Sequence, residues 1–138
     1  MDIARFVATL QRWQGTPFHH QGRGPQGADC VGLVLAALGE QGIHVDAPAD
    51  YAPGAAAVVL LAELQRFERA GLIQQRSGPP EAGDVLVFRI RRDAQHLAIA
   101  LGPDRMIHAV RGAGVVAVTI SALWRVRLLE RYGWCHGH

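Results

Sequence analysis

Gly27-Ala28-Asp29-Cys30-Val31-Gly32-Leu33-Val34 is the stretch on which the reading of the fold turns. A glycine-rich loop ends there in a single cysteine, and an apolar run from Val31 to Leu38 begins immediately after it. Asp29 has the side chain of a helix N-cap, able to accept a hydrogen bond from a free amide of the first turn. Cys30 then falls within that turn, where unpaired N–H groups and the helix dipole favour negative charge. The thiolate is the nucleophilic form of cysteine, so this position is expected to lower the thiol pKa and make Cys30 reactive. The alternative is an inert buried cysteine. The rest of the chain weighs towards the nucleophile.

Upstream, Ile3, Phe6, Val7 and Leu10 recur at helical spacing, which predicts a helix over residues 2–12, capped by Asp2 and ended by Trp13. Gly15, Pro17, Gly22, Gly24, Pro25 and Gly27 punctuate residues 14–28 as a loop. The second helix runs from Cys30 to about Gln41 and stops at Gly42. After a loop over 43–53, a third helix runs from about 54 to 70 and stops at Gly71. Beyond Pro79-Pro80 the apolar period changes from helical to two. Strands are expected over 84–90, 96–101, 105–110 and 115–120, with a fifth over 126–132 and turns at 91–95, 102–104 and 111–114. Helices first and a meander second is the α+β pattern: N-terminal helices packed on an antiparallel sheet of five to six strands. No repeat or linker interrupts residues 1–138, which are read as a single domain.

The 138 residues are 49% hydrophobic, enough for a core without disulfide staples. The formal charge is only +2, all fourteen basic residues are arginine, and the one cluster, Arg89, Arg91 and Arg92, reads as a solvated turn. Nucleic acid is not an expected partner. Two cysteines, Cys30 and Cys135, cannot define a disulfide framework. The first residues lack a basic n-region and a cleavage site, so synthesis in the cytoplasm without a signal peptide is expected. No apolar run has the length of a membrane span, and no membrane insertion is expected.

Two histidines lie on the predicted hairpin. His96, Ala98 and Ala100 share one face of their strand, and the small alanines would let the helix begun by Cys30 approach that face. His96 is then the general base for the thiol, within hydrogen-bond reach of it, and His108 fixes the tautomer of His96. Side chains alternate along strands, so the histidines share a face only with an odd-length loop or a bulge between the strands. A three- or five-residue loop around Pro103-Asp104 is expected. His19-His20 precede the nucleophile and either line a substrate cleft or form an exposed loop pair. Cys135-His136-Gly137-His138 reads as a frayed end rather than a zinc site. Trp124 and Trp134 read as core or rim aromatics.

Trp13-x-Gly15-Thr16-Pro17-Phe18 followed by Asp29-Cys30-x-Gly32-Leu33-Val34 resembles the opening of the NlpC-type cell-wall cysteine peptidases. Gly83-Asp84-Val85-Leu86-Val87-Phe88, then His96-Leu97-Ala98-Ile99-Ala100-Leu101-Gly102, then Arg105-Met106-Ile107-His108-Ala109 continue the likeness in the family's order. The resemblance covers about residues 10–112 and is nearest to short versions from phage tail-gene and gene-transfer-agent clusters. It implies a papain-like fold with Cys30 as nucleophile, His96 as base and His108 as the residue orienting it. It also implies cleavage of peptidoglycan stem peptides, often between D-glutamate and a diamino acid, with no metal or organic cofactor. Phe18 stands where many members have tyrosine, and Val31 replaces a common serine. Phe18, His20 and Asp29 are the candidate substrate-binding residues. With no room for a wall-binding domain, the expected carrier is a phage-like tail, and phage-like tail proteins are the expected partners. A structural tail component with the same fold and little activity is the competing reading.

Overall fold

The Asp2 carboxylate accepts a hydrogen bond from the Arg5 amide at 3.1 Å and starts helix α1, Ile3–Arg12, in the computed structural model, which describes residues 1–90 and 95–135. Phe6 and Leu10 carry its inner face into the core. The glycine-rich loop that follows contains a short hairpin, β1 (Arg23–Gly24) and β2 (Gly27–Ala28). Helix α2, Cys30–Gly39, buries Val31, Leu33, Val34, Ala37 and Leu38. It has no polar side because it is enclosed rather than laid on a surface. Gly42 stops it in the left-handed conformation (φ +78°), and the Ile43 amide donates back to the Leu38 carbonyl. Helix α3 spans Ala56–Arg69.

Six strands follow: β3 (Ile73–Arg76), β4 (Val85–Arg89), β5 (Gln95–Ala100), β6 (Arg105–Val110), β7 (Gly114–Thr119) and β8 (Leu128–Trp134). They form one antiparallel sheet in the order β3-β8-β4-β5-β6-β7. The expected α+β architecture, with N-terminal helices and a six-stranded antiparallel sheet, is the one observed. The sixth strand is β3, whose single buried apolar residue, Ile73, precedes Gln74, Gln75 and Arg76 at the sheet edge.

Two expectations are corrected. Residues read as the start of a strand at Val126 belong to a short helix, α4 (Ala122–Arg127), and β8 begins only at Leu128. Ser121 decides this by accepting a hydrogen bond from the Trp124 amide as N-cap. The other correction concerns the sheet faces. Helices α1, α2 and α3 share a core with Val85, Val87, Leu97, Ile99, Ile107 and Val115. Ala98 and Ala100 face the other way, with Leu86, Phe88, Met106, Ile120 and Trp124. Leucine and isoleucine supply more area to a helix interface than alanine, and burial follows area. The turn read over 91–95 and the C-terminal Cys135-His136-Gly137-His138 cluster fall largely outside the described residues.

A buried ion pair ties the sheet to the segment before β4. Arg131 Nη1 lies 2.5 Å from Asp84 Oδ2, with side chains 8% and 4% exposed. Arg131 also donates to the carbonyls of Gly78 and Ser77, and Asp84 Oδ2 accepts from the Glu81 amide. The charges are out of water, and each has further hydrogen bonds to the backbone.

Candidate active site

The loop before α2 is built to bring a backbone against the helix start. A Cβ added to Gly32 would lie 2.0 Å from the Gly22 carbonyl oxygen and 3.0 Å from Arg23 Cα. Only glycine permits that approach. Gly32→Ala should cost roughly 1–3 kcal/mol through forced backbone displacement, seen as a lower melting temperature, and a mutant as stable as wild type would contradict the tight contact.

Asp29 is 1% exposed and organises the same region. Its Oδ1 accepts from the Gly32 amide at 3.0 Å, the N-cap bond expected from sequence. Its Oδ2 accepts from the Gln21 amide at 2.9 Å and from the Tyr51 hydroxyl. Gln21 takes a left-handed backbone (φ 64°) to present that amide. The Tyr51 carbonyl in turn accepts from His20 Nε2 at 3.0 Å and Gln21 Nε2 at 2.7 Å. One buried carboxylate thus joins the loop, the start of α2 and the 43–53 segment. Both of its oxygens are engaged within the protein.

The register between β5 and β6 pairs Ile99 with Ile107 and Ala100 with Met106. The Leu101 amide then bonds the Arg105 carbonyl, leaving Gly102-Pro103-Asp104 as a three-residue connection. That odd-length loop puts His96 and His108 on one face as diagonal neighbours, with His96 Nε2 2.7 Å from His108 Nδ1. Regular pairing stops at Ile99 and Ile107, so towards His96 the two strands part. Cys30 lies at this opening, in a narrow cleft lined also by Leu97, Ala98, His108 and Ala109. Cys30 and His108 line that cleft together, and α2 packs on the Leu97, Ile99 and Ile107 face of the sheet rather than on the alanine face. The polar contact made by His96 is with His108 rather than with the thiol. Catalytic hydrogen bonds often tighten only when substrate is bound.

The electrostatics differ from the expectation for Cys30. Burial, and after it the Asp29 carboxylate, push the thiol up to about 12, while the Val31 and Cys30 backbone amides pull it down. Two amides of a first turn do not offset desolvation plus a neighbouring negative charge. The resting residue is a thiol. Burial lowers the pKa of His96, and burial plus the facing His96 lowers that of His108 to about 4. Both imidazoles are neutral at neutral pH.

Phe18 is half-buried, bridges Ala28 and carries the Arg111 guanidinium 5.1 Å from its ring centroid. His20 is half-buried and committed to the Tyr51 carbonyl, with its ring edge-on to Tyr51 at 5.5 Å. Among the described residues no group of three or more potential metal ligands exists. Tyr51 is not singled out by the sequence, and Trp124, expected as a core or rim aromatic, packs beside both histidines. Tyr51 sits in a proline-punctuated loop without periodicity, and Trp124 is one aromatic in a six-residue helix.

The NlpC/P60 family model matches residues 15–132. The NlpC/p60 domain of the peptidoglycan hydrolase SagA is 26% identical, with 96% of this chain and 99% of that one covered at a TM-score of 0.65. An NlpC/P60 family protein from Bacillus cereus ATCC 10987 is 18% identical, with 95% of this chain covered at a TM-score of 0.67. A protein described as similar to lipoprotein, NLP/P60 family, from Staphylococcus aureus subsp. aureus Mu50 is 19% identical, with 98% covered at a TM-score of 0.62. This chain spans only 39% and 42% of those last two. No curated protein sequence matches it. The family model covers most of the chain, and the protein belongs to the NlpC/P60 family.

Proposed function

We propose that the protein is a cysteine peptidase of the cell wall that opens peptidoglycan stem peptides, cutting between D-glutamate and the diamino acid. The bonded pair of His96 and His108 beside the Cys30 cleft is the observation that carries this reading. With Nε2 of His96 donating to Nδ1 of His108, the Nδ1 of His96 is an open acceptor. It takes the Cys30 proton as sulfur attacks the scissile carbonyl, and His96, now an imidazolium, still donates to neutral His108. The amides of Cys30 and Val31, which face the sulfur, are placed to host the oxyanion. Collapse expels the stem amine with the proton from His96 and leaves a thioester. Water, deprotonated by the same Nδ1, then releases the carboxylate and the thiol. Asp29 is a positioning residue here, and Phe18 and His20 form the loop wall beside the nucleophile. The peptidoglycan hydrolase SagA, whose domain shares this architecture, supports the choice of substrate.

We also propose delivery to the wall by a phage-like tail. The competing structural role gains some support from the un-ionised resting thiol. Purified sacculi and mass analysis of the released fragments separate the two. The peptidase releases stem fragments with a new amine terminus on the diamino acid, unaffected by EDTA and abolished by thiol alkylation. A structural component releases none, and its particles assemble normally with Cys30→Ala.

The pH dependence follows from the lowered histidines. Activity needs neutral His96, whose pKa lies below its ordinary value, so the acid limb of kcat/KM should lie below that of a free imidazole. Folding stability should move the same way, because the unfolded chain binds protons near pH 6.5 that the native histidines refuse until lower pH. An acid limb centred above pH 7 would contradict a buried neutral base.

A further inference from the structure

Helix α4 covers the sheet face opposite the N-terminal helices, and most of its apolar side chains do not turn inward. Leu123 is 60% exposed and Val126 84% exposed, whereas Trp124 packs into the second core with Leu86, Phe88, Ala98 and Met106. The Trp124 indole lies flat on the His96 imidazole, with centroids 5.4 Å apart and planes at 27°. It meets His108 edge-on at 5.9 Å and Phe88 edge-on at 4.9 Å, and Phe88 is itself the cross-strand partner of His96. One ring therefore contacts both histidines.

We propose that Trp124 is a positioning residue for the proposed hydrolysis, clamping the plane of the His96 ring and covering the His96–His108 hydrogen bond from water. The inference rests on reading these histidines as the base and its orienter. A single hydrogen bond at Nε2 leaves the imidazole free to rock about that contact. A stacked indole removes this freedom and keeps Nδ1 aimed at the gap where Cys30 lies. Excluding water also strengthens the hydrogen bond beneath it. The indole face remains attractive to the ring once it becomes an imidazolium, so the clamp holds through proton transfer. Among the described residues the titratable side chain bonded to His96 is His108, and Cys30 lies across the opening. Arg125, next to Trp124 in sequence, is held by Asp104 and the Pro103 carbonyl.

The test uses Trp124→Leu, which removes the flat face, Trp124→Phe, which keeps a smaller one, and Leu128→Ala as a packing control in the same core. Imidazole NMR of the substrate-free protein reads the clamp without any need for turnover. In wild type the His96–His108 N–H should appear as a slowly exchanging downfield resonance, and His96 should titrate below its ordinary value. In Trp124→Leu that resonance should broaden or vanish and the titration should move up towards 6.5, with Trp124→Phe intermediate and Leu128→Ala unchanged. On stem peptides, kcat should fall roughly 10- to 100-fold in Trp124→Leu with little change in KM, as for a slightly misplaced catalytic group. If the leucine variant fails to fold, the phenylalanine variant must still show the partial shift. A folded variant with wild-type imidazole spectra overturns the clamp whatever its activity. Altered spectra with a wild-type protein inactive on every sacculus uphold the clamp and sink the hydrolase reading instead.

Discussion

Cys30→Ala should abolish release of stem fragments, a loss of roughly 10⁴-fold or more by analogy with removal of other nucleophiles that act as a unit with their base. Alanine keeps the helix start, since the Asp29 cap and the Gly32 approach do not involve the sulfur. The variant should therefore melt close to wild type while losing activity. His96→Ala should be nearly as damaging because it removes the proposed proton acceptor and the partner to which His108 is bonded. His108→Ala should be milder, of order 10- to 100-fold, since it removes the orienting contact and leaves the base. The measurement is kcat/KM on isolated muropeptides for all three variants, with melting curves alongside. A His108→Ala effect equal to Cys30→Ala would place the proton transfer elsewhere. Retained activity in folded Cys30→Ala would reject the thiol mechanism.

The largest stability effect should come from the ion pair beneath β4 and β8. Removing one partner of Arg131–Asp84 leaves the other charge buried with its counter-ion gone. Breaking such a pair costs about 3–5 kcal/mol. Asp84→Ala strands the guanidinium with only the Gly78 and Ser77 carbonyls, and Arg131→Ala strands the carboxylate with the Glu81 amide. Either should shift chemical denaturation strongly, and the double mutant should recover part of the loss. Single mutants within about 1 kcal/mol of wild type would mean the pair is solvated, as exposed pairs are.

Sequence made the architecture readable where periodicity is strong. The strands after Pro80 read as short, nearly continuous apolar runs because both faces of the sheet are covered, and the apolar run from Val31 marks a largely buried helix. The edge strand β3 is hard to see because Gln74 and Gln75 face water. The six residues of α4 are too short for a helical period to outcompete a strand reading. The candidate site is legible as residue types and spacing, and parity restricts the connection between the histidines to an odd-length loop or a bulge if they share a face. The face on which α2 packs follows from side-chain size rather than spacing, since Leu97, Ile99 and Ile107 lie towards the helices and Ala98 and Ala100 lie away from them. The thiol pKa escapes sequence, because the Asp29 that caps the helix is also the charge that opposes ionisation.

The account stands most directly on the thioester at Cys30. Wild-type protein mixed with excess muropeptide, quenched in acid at early times and digested, should give a Cys30 peptide heavier by the acyl part of the stem. The added mass should disappear on hydroxylamine treatment. A Cys30 peptide of unchanged mass at every quench time, with stem fragments released equally fast by Cys30→Ala, would contradict it.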